Sequence, residues 1–156
     1  MRKVPFDPGS SGIGLRLIFF RPEGESMRSC RELIVWQKAM DLVVSVYGAT
    51  DSFPKAETYG LTSQIRRAVT SIPANIAEGQ GRRLPREFLC FLGNARGSLW
   101  ELDTHLEAAM RLGFLTGEAH EELRSQMDEV GRMLNGLMRS VANSATLSLQ
   151  NPASSI

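Results

Sequence analysis

Cysteine and histidine are scarce, with two of each in 156 residues. Two cysteines as far apart as Cys30 and Cys90 exclude a disulfide framework and a zinc ribbon. Cys90, between Leu89 and Phe91, reads as a small buried hydrophobe. A di-metal bundle needs paired Glu-x-x-His motifs, and no glutamate stands three residues ahead of His105 or His120. Glu101 and His105 have helix-compatible spacing, which an ion pair accounts for. No metal set and no cofactor is expected. No G-x-S-x-G elbow is present, and two histidines leave little scope for a nucleophile–base pair. The glycines at 9–14 and 79–81 follow no strand pattern, so neither cluster is a phosphate loop. These gaps together predict a protein that is not an enzyme.

Long apolar runs are also missing. The stretch 13–20 is broken by Arg16 and lacks a cleavage pattern after it, which makes it a poor signal peptide. Nothing approaches 18 uninterrupted apolar residues, so no membrane association is expected and a cytoplasmic location is the default. Charge of one sign is lacking overall, with a net of +1. Its distribution is uneven, however. Residues 58–100 carry six basic and two acidic side chains, a net of +4, whereas 101–156 carry four against eight, a net of −4. A folded molecule with this pattern is polarised.

What is abundant is helical periodicity. Residues 1–28 have none, and their prolines and glycines read as a loose arm. Met27, just ahead of the first periodic segment, is a candidate start. The bundle domain is expected over 29–142, and the Ser- and Asn-rich tail 143–156 reads as disordered. The first helix, from about 30 to 50, is apolar around more than half its circumference. Only Lys38, Asp41, Ser45 and Gly48 form a polar stripe, so burial on more than one side and an oligomer interface are expected. The second, about 59–80, repeats Leu61, Ile65, Ala68, Ile72 and Ile76, with a kink expected at Pro73 and a stop at Gly79-Gln80-Gly81. The third opens at Pro85 and carries a seam of Phe88, Leu92, Ala95, Leu99, Leu102, Leu106 and Ala109. Gly113 is the expected cap residue after it and Thr116 the N-cap of the fourth. There the seam is Leu123, Met127, Val130, Leu134, Leu137 and Val141. Short connections predict an all-α, antiparallel up-down-up-down four-helix bundle.

Two polar features stand out. Gln64, Arg67, Ser71, Asn75, Glu78 and Arg82 follow one another at helical steps, as do Glu87, Asn94, Ser98, Glu101 and His105. Such lines are a solvated face, a hydrogen-bonded network between helices or subunits, or a ligand surface. The arginines Arg66, Arg67, Arg82, Arg83, Arg86 and Arg96 solubilise a surface or bind phosphates. Arg82, Arg83 and Arg86 cluster beside a helix N-terminus, which favours anions. No aromatics are interleaved there, so structured nucleic acid is a better fit than single strands.

Several motifs in order carry a resemblance. They are Leu33-Ile-Val-Trp36-Gln-Lys-Ala39, Phe53-Pro-Lys55, Tyr59-Gly-Leu-Thr-Ser-Gln-Ile-Arg-Arg-Ala68 and Ser71-Ile-Pro-Ala-Asn-Ile-Ala-Glu-Gly79, followed by Arg86-Glu-Phe-Leu89, Ala95-Arg-Gly-Ser-Leu99 and Glu101-Leu-Asp-Thr104. Over about 30–115 the chain resembles a four-helix-bundle family whose members include proteins encoded in intervening sequences of bacterial 23S ribosomal RNA genes. The resemblance implies a cytosolic homo-oligomer, typically a ring of five, with no enzymatic activity. It marks Gln64, Arg67, Asn75, Glu78 and Arg82 as interaction or network residues. Two functional expectations follow. One is an oligomeric bundle that binds structured RNA or a nucleoprotein through Arg66, Arg67, Arg82, Arg83 and Arg86. The other is a protein–protein scaffold in which Gln64, Arg67, Ser71, Asn75, Glu78, Glu87, Asn94 and Glu101 form an inter-subunit network.

Overall fold

A computed structural model describes residues 30–82 and 84–150. Among them are four α-helices and no strand: α1 (Ile34–Thr50), α2 (Leu61–Gln80), α3 (Pro85–Arg111) and α4 (Gly117–Gln150). Short 3-10 turns at Cys30–Glu32 and Lys55–Glu57 precede α1 and α2. Contacts run in a closed order: α1 on α2, α2 on α3, α3 on α4, and α4 back on α1. The result is a helical bundle around one core. The arm 1–28 with Met27, the connection residue Arg83, and 151–156 lie outside the described residues.

Local chemistry sets each boundary. Leu33 at the N-cap of α1 offers no side-chain cap; instead the 3-10 turn leads in, and Gln37 Nε2 donates to the Arg31 carbonyl at 2.7 Å. At the other end the buried Thr50 hydroxyl donates back to the Val46 carbonyl at 2.9 Å. Phe53 then turns inward against Phe114, with ring centroids 5.9 Å apart. Gly60 precedes α2 and has no cap of its own, but the Glu57 carboxylate reaches round to accept from the Leu61 N–H at 3.0 Å. A Cβ on Gly60 would stand 2.6 Å from that carboxylate oxygen, so a larger residue would make the Glu57 side chain shift.

The α3–α4 corner follows the sequence closely. Gly113 has φ +77°. Its N–H donates to Met110 at 3.0 Å while that of Phe114 donates to Ala109 at 2.9 Å. This pair of bonds is the Schellman motif, which satisfies carbonyls a helix end would otherwise leave orphaned. The Thr116 hydroxyl then accepts from the Ala119 N–H at 3.2 Å, capping α4.

The core consists of the expected stripes. Every seam residue of α3 is buried, as are Leu123, Met127, Val130, Leu134 and Val141 of α4, with Leu137 half-buried against them. Pro73 lies buried inside α2. Gly79 is helical and buried rather than part of a stop, and the helix ends at Gln80 with Gly81 as cap. A Cβ on Gly79 would lie 2.7 Å from Phe91 Cβ and 2.8 Å from Phe88 Cδ2. The residue therefore lets α2 and α3 approach closely, and they make the most extensive contact in the bundle.

Three expectations change. Tyr59 lies ahead of α2 and is 96% exposed. Cys90 is exposed rather than buried. Two residues beyond the buried Phe88 a helix has turned through roughly 200°, so Cys90 faces away from the core although both sequence neighbours are apolar. Helix α4 also continues past 142 to Gln150. The Ser144 and Thr146 hydroxyls donate to the carbonyls of Ser140 and Ala142, four residues back. Hydroxyl residues bonded in this way fit a helix without breaking it.

Candidate functional site

The polar stripe joins α2 to α3 within one chain. Ser71 and Ser98 meet Oγ to Oγ at 2.9 Å. Asn75 Nδ2 donates to the Ser71 carbonyl at 2.8 Å and to its hydroxyl oxygen at 3.0 Å. Ser98 also donates to the Asn94 carbonyl at 3.1 Å. One end of the stripe is charged: Arg67 Nη2 donates to Gln64 Oε1 at 2.7 Å and lies 3.6 Å from Glu101, which also stands 3.6 Å from His105 Nε2. At the other end Arg82 pairs with Glu78 at 2.6 Å and its guanidinium sits over the Phe91 ring, 4.8 Å from the centroid. Glu87 is exposed and its side chain has no partner among the described residues.

The expected phosphate-binding arginines are largely engaged. Arg66 Nε donates to Thr50 Oγ1 at 3.0 Å, and its guanidinium lies 4.6 Å from the Tyr47 centroid. It thereby ties α2 to α1. Arg67 and Arg82 hold the bonds just described. Arg86, in the first turn of α3, is exposed and has no side-chain partner among the described residues. Arg83 lies outside them. The arrangement leaves one described arginine of the cluster unengaged.

A third feature escaped the pattern reading. Between α3 and α4 runs a groove of about 260 Å³, floored by Leu99 and Met127 and lined by Arg96, Trp100, Asp103, Arg124, Asp128 and Arg132. Trp100 is 68% exposed. It follows a seam position and so was absorbed into the helix; the available signal was the steps of four that place Arg96, Trp100, Arg124, Asp128 and Arg132 beside the two seams.

Two further observations bear on chemistry. His120 is buried in the first turn of α4, with Nε2 3.6 Å from Glu107 Oε2. The Arg111 Nε–H, donating to Glu107 at 2.7 Å, holds that carboxyl below its ordinary value. No group of three or more His, Cys, Asp or Glu side chains that would suit a metal ion occurs among the described residues. No helix among them is long and apolar enough to cross a membrane.

The outer side of α1 is mixed, with exposed apolar residues beside the exposed Gln37, Asp41 and Gly48. Its inward face is Val35, Ala39, Leu42, Val46 and Thr50. On the outside Ile34 is 63% exposed, Val44 71%, Tyr47 41% and Met40 37%, with Trp36 and Val43 half-buried beside them.

Together these features define a helical bundle with a partly exposed polar seam between α2 and α3. The chain belongs to the 23S rRNA-intervening sequence protein family, whose model matches residues 31–136. A crystal structure of a protein of unknown function from the S23 ribosomal protein family of Bacteroides thetaiotaomicron VPI-5482 is similar, with a TM-score of 0.61 and 24% identity. The match covers 67% of this chain and 98% of that one, and establishes likeness of fold. No curated protein matches the chain.

Proposed function

We propose that the protein is a non-enzymatic, cytoplasmic, homo-oligomeric bundle that self-associates through the outer face of α1, as a ring of five if it follows the family resemblance. The carrying observation is that face. Met40, Val44 and Tyr47, at steps of four and three, expose apolar surface along one line of the helix, and exposed apolar patches mark interaction sites. The polar stripe is a weaker candidate for an inter-subunit network because most of its side chains are bonded between or within α2 and α3 of the same chain. Antiparallel up-down-up-down order is part of this reading. Along α2 and α3, 67 meets 101, 71 meets 98, and 79 meets 88 and 91. Along α3 and α4, 96 meets 135, 99 meets 131, and 107 meets 120. So is a bend at Pro73, which has no N–H to give the Val69 carbonyl.

The test is solution mass by light scattering. Wild type is expected above the 17.2 kDa of one chain, and Val44→Glu is expected to bring it down with helicity retained. A monomeric wild type, or a variant that keeps the assembly, overturns the proposal.

One observation favours a second role, the binding of structured RNA or a nucleoprotein. Arg86, four residues after Arg82 on the segment of net +4, has no side-chain partner among the described residues, and the family takes its name from an rRNA insert. Affinity for a labelled rRNA stem-loop that falls steeply with salt, and weakens in Arg86→Glu with the oligomer intact, supports it. Flat, weak binding at low salt removes it.

A further inference from the structure

The α3–α4 groove carries an inference independent of both roles. Arg96, Trp100 and Asp103 succeed one another at steps of four and three on α3, and Arg124, Asp128 and Arg132 at steps of four on α4. Each trio therefore lies along one side of its helix, and the two sides line the same groove. Asp128 is four residues from both Arg124 and Arg132, yet it pairs with neither. Elsewhere Glu78–Arg82 and Glu107–Arg111, at the same spacing, close to 2.6 and 2.7 Å. Arg124, Arg132, Asp103 and Asp128 make no ion pair or side-chain hydrogen bond among the described residues. Arg96 makes one long bond, 3.4 Å to Asn135 Oδ1. Three cations and two carboxylates thus surround a mostly exposed indole while keeping their hydrogen-bonding capacity.

We infer that this groove binds a nucleotide, either free or as one unit of a single-stranded nucleic acid. The base stacks on Trp100, Arg96 and Arg132 hold the phosphate, and Asp103 and Asp128 accept from base-edge or sugar donors. An indole face takes any base, and guanidinium geometry matches phosphate oxygens in pairs. The carboxylates narrow the ligand further. They repel a bare inorganic anion and require a partner that also donates, as nucleobase amino groups and ribose hydroxyls do. A volume of 260 Å³ falls just under the roughly 300 Å³ of the smallest drug-sized pockets, which suits one planar group with the remainder in solvent. A duplex hides its base faces, so the ligand differs from the structured RNA considered for Arg86.

The test uses full-length protein carrying Trp36→Phe, which leaves Trp100 as the sole tryptophan. Nucleoside 5′-monophosphates, an eight-nucleotide single-stranded RNA and inorganic phosphate are titrated separately, by fluorescence and by calorimetry. Saturable quenching by the mononucleotides, the oligonucleotide or both, with none by phosphate, is the expected result, and the stronger arm identifies the source. In the calorimetric arm Trp100→Ala lowers affinity about 5- to 150-fold, as loss of one stacked base does. Arg96→Gln with Arg132→Gln lowers it too and flattens its salt dependence, while circular dichroism stays unchanged. Absence of quenching up to millimolar nucleotide overturns the inference. So does Trp100 emission that follows protein concentration instead of nucleotide, accompanied by a loss of mass in Trp100→Ala, because the groove is then a contact between copies.

Discussion

Alanine at Gly79 and at Gly97 should move stability in opposite directions, although both substitutions fall within helices. Gly97 is exposed in the middle of α3 and a Cβ there meets nothing within 4 Å. Gly97→Ala should recover the helix-propensity deficit of glycine, about 1 kcal/mol of added stability. Gly79→Ala recovers less, since the site lies in the last turn of α2. It also sets a methyl 2.7 Å from Phe91 Cβ and 2.8 Å from Phe88 Cδ2. The first of these is fixed to the α3 backbone, so relief means shifting one helix against the other. Overpacking of this kind costs about 1–3 kcal/mol, which leaves Gly79→Ala about 1 kcal/mol less stable than wild type. The gap of about 2 kcal/mol corresponds to roughly 4–8 °C in Tm for a chain of this size. Thermal and urea unfolding followed at 222 nm, at one protomer concentration so that assembly does not confound the comparison, measures it. If Gly79→Ala stabilises as much as Gly97→Ala, the closest approach of α2 and α3 is not at Gly79, and the reasoning fails.

Further substitutions probe other links. Gly113→Ala forces an L-residue to φ +77° and should cost about 1–2 kcal/mol, whereas Thr116→Ala removes the α4 cap and should cost about 1 kcal/mol; equal stability to wild type in urea refutes either. Ser71→Ala, Ser98→Ala and the double variant form a cycle across the 2.9 Å interhelical bond, with an expected coupling of about 0.5–1.5 kcal/mol; a coupling of zero means the hydroxyls act independently. Glu107 has its folded-state pKa lowered by the Arg111 hydrogen bond, so its contribution is present above the ordinary value near 4.5 and is lost as pH falls through the depressed one. Glu107→Gln should therefore be less stable than wild type at pH 7 and converge with it in strong acid, and a pH-independent difference in urea midpoint would sink that assignment.

Most of the fold was legible in the sequence because its signals are local or periodic. The seams of α3 and α4, the positive φ at Gly113 and the Thr116 cap each follow from residue type at a fixed offset. What was misread depends on three-dimensional neighbours. Gly79 and Gly81 look alike as punctuation, but only Gly79 has two phenylalanines against it. Cys90 sits between apolar neighbours that flank the core rather than enter it, so sequence proximity pointed the wrong way. The polar stripe was visible as spacing, yet spacing does not say whether a hydroxyl meets water, a subunit or the next helix. The Ser71–Ser98 distance identifies the next helix as its partner. Trp100 was lost inside a correctly read helix because the groove around it needs both α3 and α4 to exist.

The engagement of the arginines shifts the weight among functions. A guanidinium already holding Thr50 and Tyr47, as Arg66 does, or Glu78 and Phe91, as Arg82 does, is held in place with fewer N–H groups to offer a phosphate. The net +4 of residues 58–100 is spread along α2 and partly engaged, and therefore overstates the charge available to a nucleic acid at the α2–α3 connection. Availability is higher in the α3–α4 groove, where four of the charges lining it have no partner among the described residues, even though residues 101–156 are acidic in sum. Unengaged charge next to an exposed ring is a better guide to a binding surface than segment charge. On that criterion the α3–α4 groove is the stronger candidate among the described residues.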